Sequence, residues 1–261
     1  MMTLGQITGV PILDYHRIVP AGRFGASDDR FAVHQSAFRD QLQLLCDLKI
    51  TAVVPEDVSA DQLPASSVAL TFDDGYSSHY EIAFRELSEF KLTATFFVNT
   101  SSMDTGEFLD WAMAAEMIRG GMRFGSHAHN HIVLTTLNSE RMKEELRVSR
   151  QMLEQRLASA IEVLAVPYGF CDQHVLDAAW ESGYRVVCTS KPWPAQKGAR
   201  VLSRVAVLQQ TSLNEFRKLV RKDPAVYLCL WGRDRALAIP RYVCVRLRPQ
   251  LLGVRTAEDI L

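Results

Sequence analysis

Short apolar runs alternate with longer segments of helical apolar spacing along most of the chain. The short runs are rich in β-branched and aromatic residues, which favour strands. Strands are predicted at residues 10–15, 51–54, 68–72, 93–98, 123–126, 161–166, 184–188 and 202–207. Helices are predicted at residues 36–48, 78–90, 109–118, 138–157, 172–182 and 212–220. This alternation predicts βα units and a parallel sheet, which either closes into a barrel or stays open with helices on both faces.

Composition narrows the class of protein. The chain has 261 residues, 48% of them hydrophobic, which suits a single α/β barrel. A net charge of −1 argues against a nucleic-acid binder. The N-terminus shows no basic start followed by a long apolar stretch, and no run is apolar enough to cross a membrane, so a cytoplasmic location is expected. The five cysteines, an odd number without CxxC spacing, fit free thiols in a reducing compartment.

Four polar clusters follow four of the predicted strands. They are Tyr15-His16, Asp73-Asp74, His127 to His131, and Pro167-Tyr168-Gly169. In a parallel α/β fold the carboxyl ends of the strands lie on one face, whether the sheet is open or closed. The sequence therefore predicts that these clusters converge on one site.

The stretch "ALTFDDGY" ends a buried strand with two adjacent carboxylates, Asp73 and Asp74. Like charges this close repel, and a cation relieves the repulsion. In that case one aspartate binds the cation and the other deprotonates the attacking water. The alternative is a turn that caps the following helix.

The stretch "GSHAHNH" places His127, His129 and His131 within five residues. In an extended chain all three share a face, whereas in a helical turn only His127 and His131 do. Two histidines and one carboxylate are a common ligand set for Zn²⁺ or a similar divalent ion. The alternative is a polar surface turn. The fourth cluster, around Tyr168, predicts either a simple turn or a loop whose backbone N–H stabilises an oxyanion.

The motifs "TFDDGY", "SHAHNH" and "PYG", in this order, resemble the first three motifs of the polysaccharide deacetylases, carbohydrate esterase family 4. The stretches "ILDYHRI" and "FAVHQSAFRDQLQLLCDLKITAVVPEDV" resemble the N-terminal part of the exopolysaccharide-type branch. The resemblance covers about residues 10 to 220. It implies a distorted (β/α)₇ barrel in a single domain, residues 1–220, and a metal-dependent hydrolase with Zn²⁺, Co²⁺ or another divalent ion. Its substrate would be an N-acetylated sugar in a polysaccharide, oligosaccharide or glycoconjugate precursor.

The resemblance also assigns roles to residues of this chain. It makes Asp73 the catalytic base, Asp74 a metal ligand, and His127 and His131 the two histidine ligands. Tyr168 would stabilise the oxyanion through its backbone N–H. His129 falls where the family varies, and we expect it to lie behind the ligands or to face solvent.

Two features depart from the family pattern. Many members have an arginine shortly before the proline of the third motif, where this chain has "EVLAVPYG". We predict that Arg204, in "LSRVAV", holds Asp73 instead. The tryptophan-containing fourth motif also has no clear match, since Trp193 in "SKPWP" lacks the usual acidic context.

The histidine of the last family motif, the general acid, is missing, because no histidine follows His174. His16, His129 or the base itself are the candidates for that role. This loss favours an alternative function, a catalytically weak or inactive carbohydrate-binding pseudoenzyme. Retention of the base and the ligands favours the enzyme. A deacetylase of a small non-sugar amide is a third hypothesis.

The C-terminal extension, residues 221–261, is basic and contains aromatic residues. From residue 217 onward there are ten basic residues: Arg217, Lys218, Arg221, Lys222, Arg233, Arg235, Arg241, Arg246, Arg248 and Arg255. Such a segment either packs on the barrel with a solvated basic face or docks on a partner or an anionic membrane surface. Packing on the barrel is the favoured interpretation.

Overall fold

Strands and helices alternate in the computed structural model, which describes residues 7–20, 29–58, 63–247 and 252–256. The strands are β1 (Ile12–Tyr15), β2 (Ile18–Val19), β3 (Val33–His34), β4 (Thr51–Val53), β5 (Ser67–Phe72), β6 (Thr95–Val98), β7 (Arg123–Ser126), β8 (Val163–Ala165), β9 (Val186–Thr189), β10 (Val201–Ser203) and β11 (Val205–Ala206). The helices are α1 (Gln35–Asp47), α2 (Pro55–Val58), α3 (Arg85–Glu89), α4 (Trp111–Arg119), α5 (Ser139–Leu157), α6 (Gln173–Glu181), α7 (Leu213–Val220) and α8 (Pro224–Leu247). The apolar pattern does not predict β2, β3, α2 or α8.

Seven parallel strands, the last one split in two, form a nearly closed ring. Their order is β1, β5, β6, β7, β8, β9 and β10. β10 pairs with β9 at one end of the sheet, and β11, which begins two residues after β10 ends, pairs with β1 at the other end. The predicted (β/α)₇ barrel is therefore confirmed, and its last strand is interrupted at Arg204. β4 lies beside β5 outside this path, and β2 pairs with β3 separately.

Side chains along the strands alternate between the barrel interior and the layer beneath the helices, as strand geometry requires. In β1, Ile12 joins the small interior core, whereas Leu13 packs in the larger core outside the ring. Phe97 and Leu202 also belong to the interior core. The residue two positions after Leu202 is Arg204, which enters the same interior. One end of the barrel interior is therefore apolar and the other is polar.

The six predicted helices are present, and one of them begins with a different helical geometry. Asn138 caps α5, and its side chain accepts a hydrogen bond of 3.0 Å from the Arg141 backbone N–H. The predicted helix 78–90 begins instead as a π-helix, His79–Phe84, and becomes α-helical only in α3. His79 at its start is fully buried, and its Nε2 lies 2.6 Å from the carbonyl oxygen of His16.

The start of α8 packs on the barrel, and most of its following two turns are exposed. Tyr227 is buried, and its hydroxyl donates to the Leu219 carbonyl at 3.1 Å. Leu228 and Trp231 are exposed, and the Arg235 guanidinium lies 4.9 Å from the centroid of the Trp231 ring.

Docking of this segment on a partner or membrane stays a prediction. Arg248 of the basic set lies outside the described residues, as do the side chains of Arg241 and Arg246. Among the described helices, none combines the length and apolarity that a membrane span needs.

Candidate active site

The strand-end residues predicted from the sequence meet at the carboxyl end of the barrel. Asp73 and Asp74 follow β5, and His127 follows β7. The Nε2 atom of His127 lies 3.8 Å from Asp73 Oδ2 and 3.5 Å from Asp74 Oδ1. Two chain segments that are far apart in the sequence therefore contribute to one polar cluster.

Asp74, His127 and His131 form a set in which one nitrogen or oxygen atom of each residue lies within 4.8 Å of the others. His131 Nε2 is 3.1 Å from Asp74 Oδ1. The Nδ1 atom of His127 lies 2.8 Å from the Ala165 carbonyl oxygen at the end of β8. A neutral imidazole that donates from Nδ1 keeps a lone pair on Nε2, which is the atom that faces Asp74.

These three residues fit a divalent cation. Oδ1 of Asp74 is buried and accepts no well-aligned hydrogen bond from the described residues, although two imidazole nitrogens face it. Burial would raise the pKa of Asp74, but His131 opposes it, and the pKa lies well below its usual range. Burial also lowers the pKa of His127 to about 4, so this imidazole is neutral near pH 7. An ionised carboxylate and a neutral imidazole are the forms that bind metals.

The backbone at Asp74 explains how two adjacent aspartates both face the site. Neighbouring residues of a strand point to opposite faces, but Asp74 and Gly75 each have φ near +77°. A Cβ atom on Gly75 would lie 2.9 Å from a methyl carbon of Val98, so glycine is required there. The Asn99 side-chain amide donates to the Asp74 carbonyl at 2.9 Å and holds this turn.

Arg204 binds Asp73 with two parallel hydrogen bonds of 2.7 Å, from Nη1 to Oδ1 and from Nη2 to Oδ2. The Arg204 side chain is fully buried, and its guanidinium lies 5.3 Å from the centroid of the Phe97 ring. Burial would raise the pKa of Asp73, but the charge and hydrogen bonds of Arg204, together with the nearby His127 and His16, outweigh it, and the pKa lies below its usual value. The geometry that the sequence predicts for this pair is present, and the carboxylate is held ionised in one orientation.

Asp14 is a further residue of the site that the sequence did not predict. This carboxyl is buried, lies 3.3 Å from Arg204 Nη1 and is 4.0 Å from Nδ1 of His16. Burial raises the pKa of Asp14 to about 7, since Arg204 makes its two short hydrogen bonds with Asp73. One guanidinium does not neutralise two buried carboxylates equally. The signal for Asp14 in the sequence was a single acidic residue inside the apolar run "VPILDY".

His16 lies beside this pair, in a cluster with Asp14 and Asp73 whose side-chain nitrogen and oxygen atoms are within 4.8 Å of one another. Burial would lower the pKa of His16, but the three nearby aspartates outweigh it and raise the pKa above its ordinary value. The ring of His16 stacks on Phe31 with centroids 4.5 Å apart. His16 is therefore a fixed imidazole with an elevated pKa on the same face as the proposed base.

Two residues of the predicted clusters lie apart from this centre. Tyr15 points into the core, where its hydroxyl donates to Gln41 Oε1 at 2.8 Å, because it alternates with Asp14 and His16 along the chain. Nδ1 of His129 lies 2.7 Å from the Thr100 hydroxyl, and His129 does not belong to the described ligand cluster. Of the two backbone alternatives for the three histidines, the structure therefore pairs His127 with His131 and separates His129.

The loop after β8 brings Tyr168 against the ligand set. Tyr168 has φ +58°, a left-handed conformation that is rare for a bulky residue. Its ring centroid lies 4.5 Å from that of His131, and its hydroxyl donates to the His131 carbonyl at 3.4 Å. Next to it, Gly169 has φ +75°, and a Cβ there would lie 2.6 Å from Ser190 Cβ. The strained backbone is a feature typical of functional sites.

A barrel with an arginine-held carboxylate beside a histidine–carboxylate ligand set falls in the class of hydrolytic β/α barrels. Comparisons with known proteins agree with this class. The sequence model of the family described as polysaccharide deacetylase matches residues 60–187. Residues 60–187 therefore form a polysaccharide deacetylase domain, and relatives of the chain are named as carbohydrate deacetylases, which are hydrolases.

Three relatives illustrate the similarity. YxkH of Bacillus subtilis (strain 168), provisionally named a polysaccharide deacetylase, is 27% identical over 205 residues, which are 76% of this chain and 71% of YxkH. The poly-β-1,6-N-acetyl-D-glucosamine N-deacetylase of Staphylococcus aureus (strain MSSA476) is 24% identical over 66% of this chain and 69% of its own. The structure of the Streptococcus pyogenes deacetylase PplD in complex with acetate is 26% identical, with a TM-score of 0.76 over 82% of this chain and 99% of PplD.

Proposed function

We propose that this protein is a metal-dependent hydrolase that removes acetyl groups from an N-acetylated sugar in a polysaccharide, oligosaccharide or glycoconjugate precursor. The observation that carries this proposal is the arginine-held carboxylate of Asp73 next to the ligand set of Asp74, His127 and His131. A water-activating base beside a cation site is needed for hydrolysis and not for binding alone. The names of the relatives support an acetylated carbohydrate as the substrate.

Asp74, His127 and His131 would hold the divalent ion, and Zn²⁺ or Co²⁺ suits this set of donors. When bound, the ion supplies Lewis acidity to the carbonyl oxygen and to the attacking water. Asp73 then accepts the proton of that water, because Arg204 keeps its carboxylate ionised and fixed in orientation. The two adjacent aspartates thus have different roles, set by their different partners.

The remaining steps are assigned to Tyr168 and His16. The backbone N–H of Tyr168 would stabilise the oxyanion, and the strained loop places it beside His131. His16 would donate a proton to the leaving amine, since its raised pKa keeps it protonated at higher pH than a free histidine. His16 would thereby take the role of the family's last-motif histidine, since no histidine follows His174 in this sequence. The pseudoenzyme alternative loses its main support if His16 acts in this way.

Acetate release from a panel of acetylated glycans, nucleotide sugars and small acetamides tests the proposal directly. The apo protein, prepared with a chelator, should show little activity, and added Zn²⁺ or Co²⁺ should restore it on at least one N-acetylated glycan. Activity restricted to the small acetamides would indicate that the substrate is a non-sugar amide. Full activity after complete metal removal would contradict the metal-dependent mechanism.

His16→Gln tests the assignment of the general acid. We expect turnover of an N-acetylated sugar to fall by about 10²-fold, the lower end of the usual range for a lost acid. Turnover of an aryl acetate should fall much less, because a phenolate leaves without a proton. The basic limb of the pH–rate profile should also disappear with the sugar substrate.

His129→Gln is the matched control for this variant. His129 lies in the loop after β7, at the same end of the barrel, but its ring contacts the Thr100 hydroxyl. It should leave both substrates nearly unaffected. Equal losses of amide and aryl ester turnover in His16→Gln would contradict an acid role, and a large amide-specific loss in His129→Gln would transfer that role to His129.

A further inference from the structure

The C-terminal segment 252–256 links the two loops that carry His131 and Tyr168. The backbone N–H of Arg255 donates to the Tyr168 hydroxyl at 3.2 Å. Nη1 of Arg255 donates to the Asn130 carbonyl at 2.9 Å, and the Arg255 carbonyl accepts from the Val133 N–H at 2.8 Å. One residue from the far end of the chain therefore bridges the loop after β7 and the loop after β8.

Both of these loops need external support. Ala128, His131 and Tyr168 have φ of +63°, +52° and +58°. Non-glycine residues hold such conformations only where the surrounding contacts enforce them. The Tyr168 hydroxyl, which accepts from Arg255, also donates to the His131 carbonyl at 3.4 Å. A continuous chain of hydrogen bonds therefore runs from Arg255 to the backbone of a proposed metal ligand.

The other side of the histidine loop is already fixed to the barrel. Glu145 on α5 is buried, and its carboxylate accepts from the Asn130 backbone N–H and, at 3.0 Å, from the Asn130 side-chain amide. The C-terminal segment is itself anchored, because Thr256 is buried next to Arg255. Asn130 is thus held between α5 on one side and Arg255 on the other, directly before His131 in the chain.

We propose that Arg255 is a positioning residue that sets the placement of His131 and of the Tyr168 backbone. It acts through Asn130 and the Tyr168 hydroxyl and needs no contact with the substrate. The part of this proposal that concerns turnover rests on the proposed deacetylase function, whereas the part that concerns loop order does not. The C-terminal segment would then complete the catalytic end of the barrel.

Arg255→Met in the full-length protein tests this assignment. Loss of one ordinary hydrogen bond corresponds to a change of about two- to tenfold in an equilibrium constant. The variant loses the Nη1 bond to the Asn130 carbonyl and keeps the Arg255 backbone bonds to Tyr168 and Val133. We expect amide hydrogen exchange to quicken in residues 127–133, and Zn²⁺ affinity, measured against a chelating dye, to weaken about two- to tenfold. At saturating Zn²⁺, kcat should fall by a similar factor, and KM should change less than kcat.

Three further variants complete the test. Arg233→Met removes an exposed arginine of α8 with no hydrogen bond to either loop among the described residues, and it should match the wild type. Arg255→Lys keeps a donor for the Asn130 carbonyl and should restore part of the Zn²⁺ affinity. Tyr168→Phe removes only the hydroxyl. In the double variant with Arg255→Met, the loss of Zn²⁺ affinity should be smaller than the sum of the two single losses.

The outcomes separate this proposal from the proposed function. If Arg255→Met matches Arg233→Met in exchange, Zn²⁺ affinity and kcat, the positioning role is refuted. If exchange quickens in residues 127–133 while the wild type neither binds Zn²⁺ nor releases acetate, the support of the histidine loop by Arg255 is confirmed and the deacetylase function is refuted. A changed stability alone, with unchanged Zn²⁺ affinity and kcat, reduces Arg255 to a structural residue and overturns the proposal.

Discussion

Replacing Asp73 by asparagine is expected to lower turnover by about 10²–10⁴-fold and to leave metal affinity largely intact. The reason is that the amide keeps an oxygen for Arg204 but has no basic lone pair for the proton of the attacking water. The fold should tolerate the change, because Asp14 lies 3.3 Å from Arg204 and is available to ionise and balance its charge. Acetate release and Zn²⁺ titration of the same preparation measure the two effects.

Asp74→Asn is the matched control, since it changes the neighbouring aspartate in the same way. It should weaken Zn²⁺ binding strongly, because it removes the charged member of the ligand set. The two variants should therefore differ in kind and not only in degree. If Asp73→Asn loses its metal and regains its rate when metal is added in excess, the roles of the two aspartates are reversed.

Much of the fold followed from the alternation of short apolar runs with helical segments. The convergence of Asp73, His127 and Tyr168 was predicted from their positions after parallel strands. That inference succeeded because it needs only the order of the elements and the direction of the strands. The interior position of Asp73 and Arg204 agrees with the alternation of side chains along a strand, since Asp73 lies four positions from Ala69 and Arg204 two from Leu202.

Other features depend on contacts that no local pattern encodes. Asp14 was not predicted because a single acidic residue in an apolar strand has no evident role in the local pattern. Its role depends on Arg204, which lies 190 positions later in the chain. The split between β10 and β11 was not predicted for the same reason, since it occurs at Arg204, whose partners are distant in the sequence. The separation of His129 from the other histidines required the positive φ of Ala128 and His131, which an extended or helical assumption does not supply. α8 has no clear apolar face, so helical spacing did not reveal it.

Arg204→Met should affect stability as well as activity. The variant leaves Asp73 buried without the guanidinium that holds it ionised, and breaking a buried ion pair of this kind costs roughly 3–5 kcal/mol. Methionine retains most of the side-chain volume, so the loss reports the charge and its hydrogen bonds. Chemical unfolding of the metal-free protein measures the change in the free energy of unfolding.

The sign of the pH dependence follows from the pKa of Asp73. In the wild type this pKa lies below the unfolded value, so the stabilisation by the ion pair is present above the ordinary carboxyl range and is lost on acidification. Without Arg204, burial dominates and raises the folded pKa of Asp73 above the unfolded value. Folding then retains a proton, and the stability of the variant falls as pH rises. The destabilisation relative to wild type should therefore be larger at about pH 8 than at about pH 5.

The same shift governs the activity of Arg204→Met. The base must be ionised to accept a proton, so a raised pKa of Asp73 moves the acidic limb of the pH–rate profile to higher pH and depresses turnover most on the acidic side. Arg200→Met is the control, because Arg200 lies four residues earlier and its guanidinium is 3.9 Å from the centroid of the Trp180 ring, away from the site. A profile for Arg204→Met that superimposes on those of the wild type and Arg200→Met would show that the guanidinium does not set the ionisation of the base.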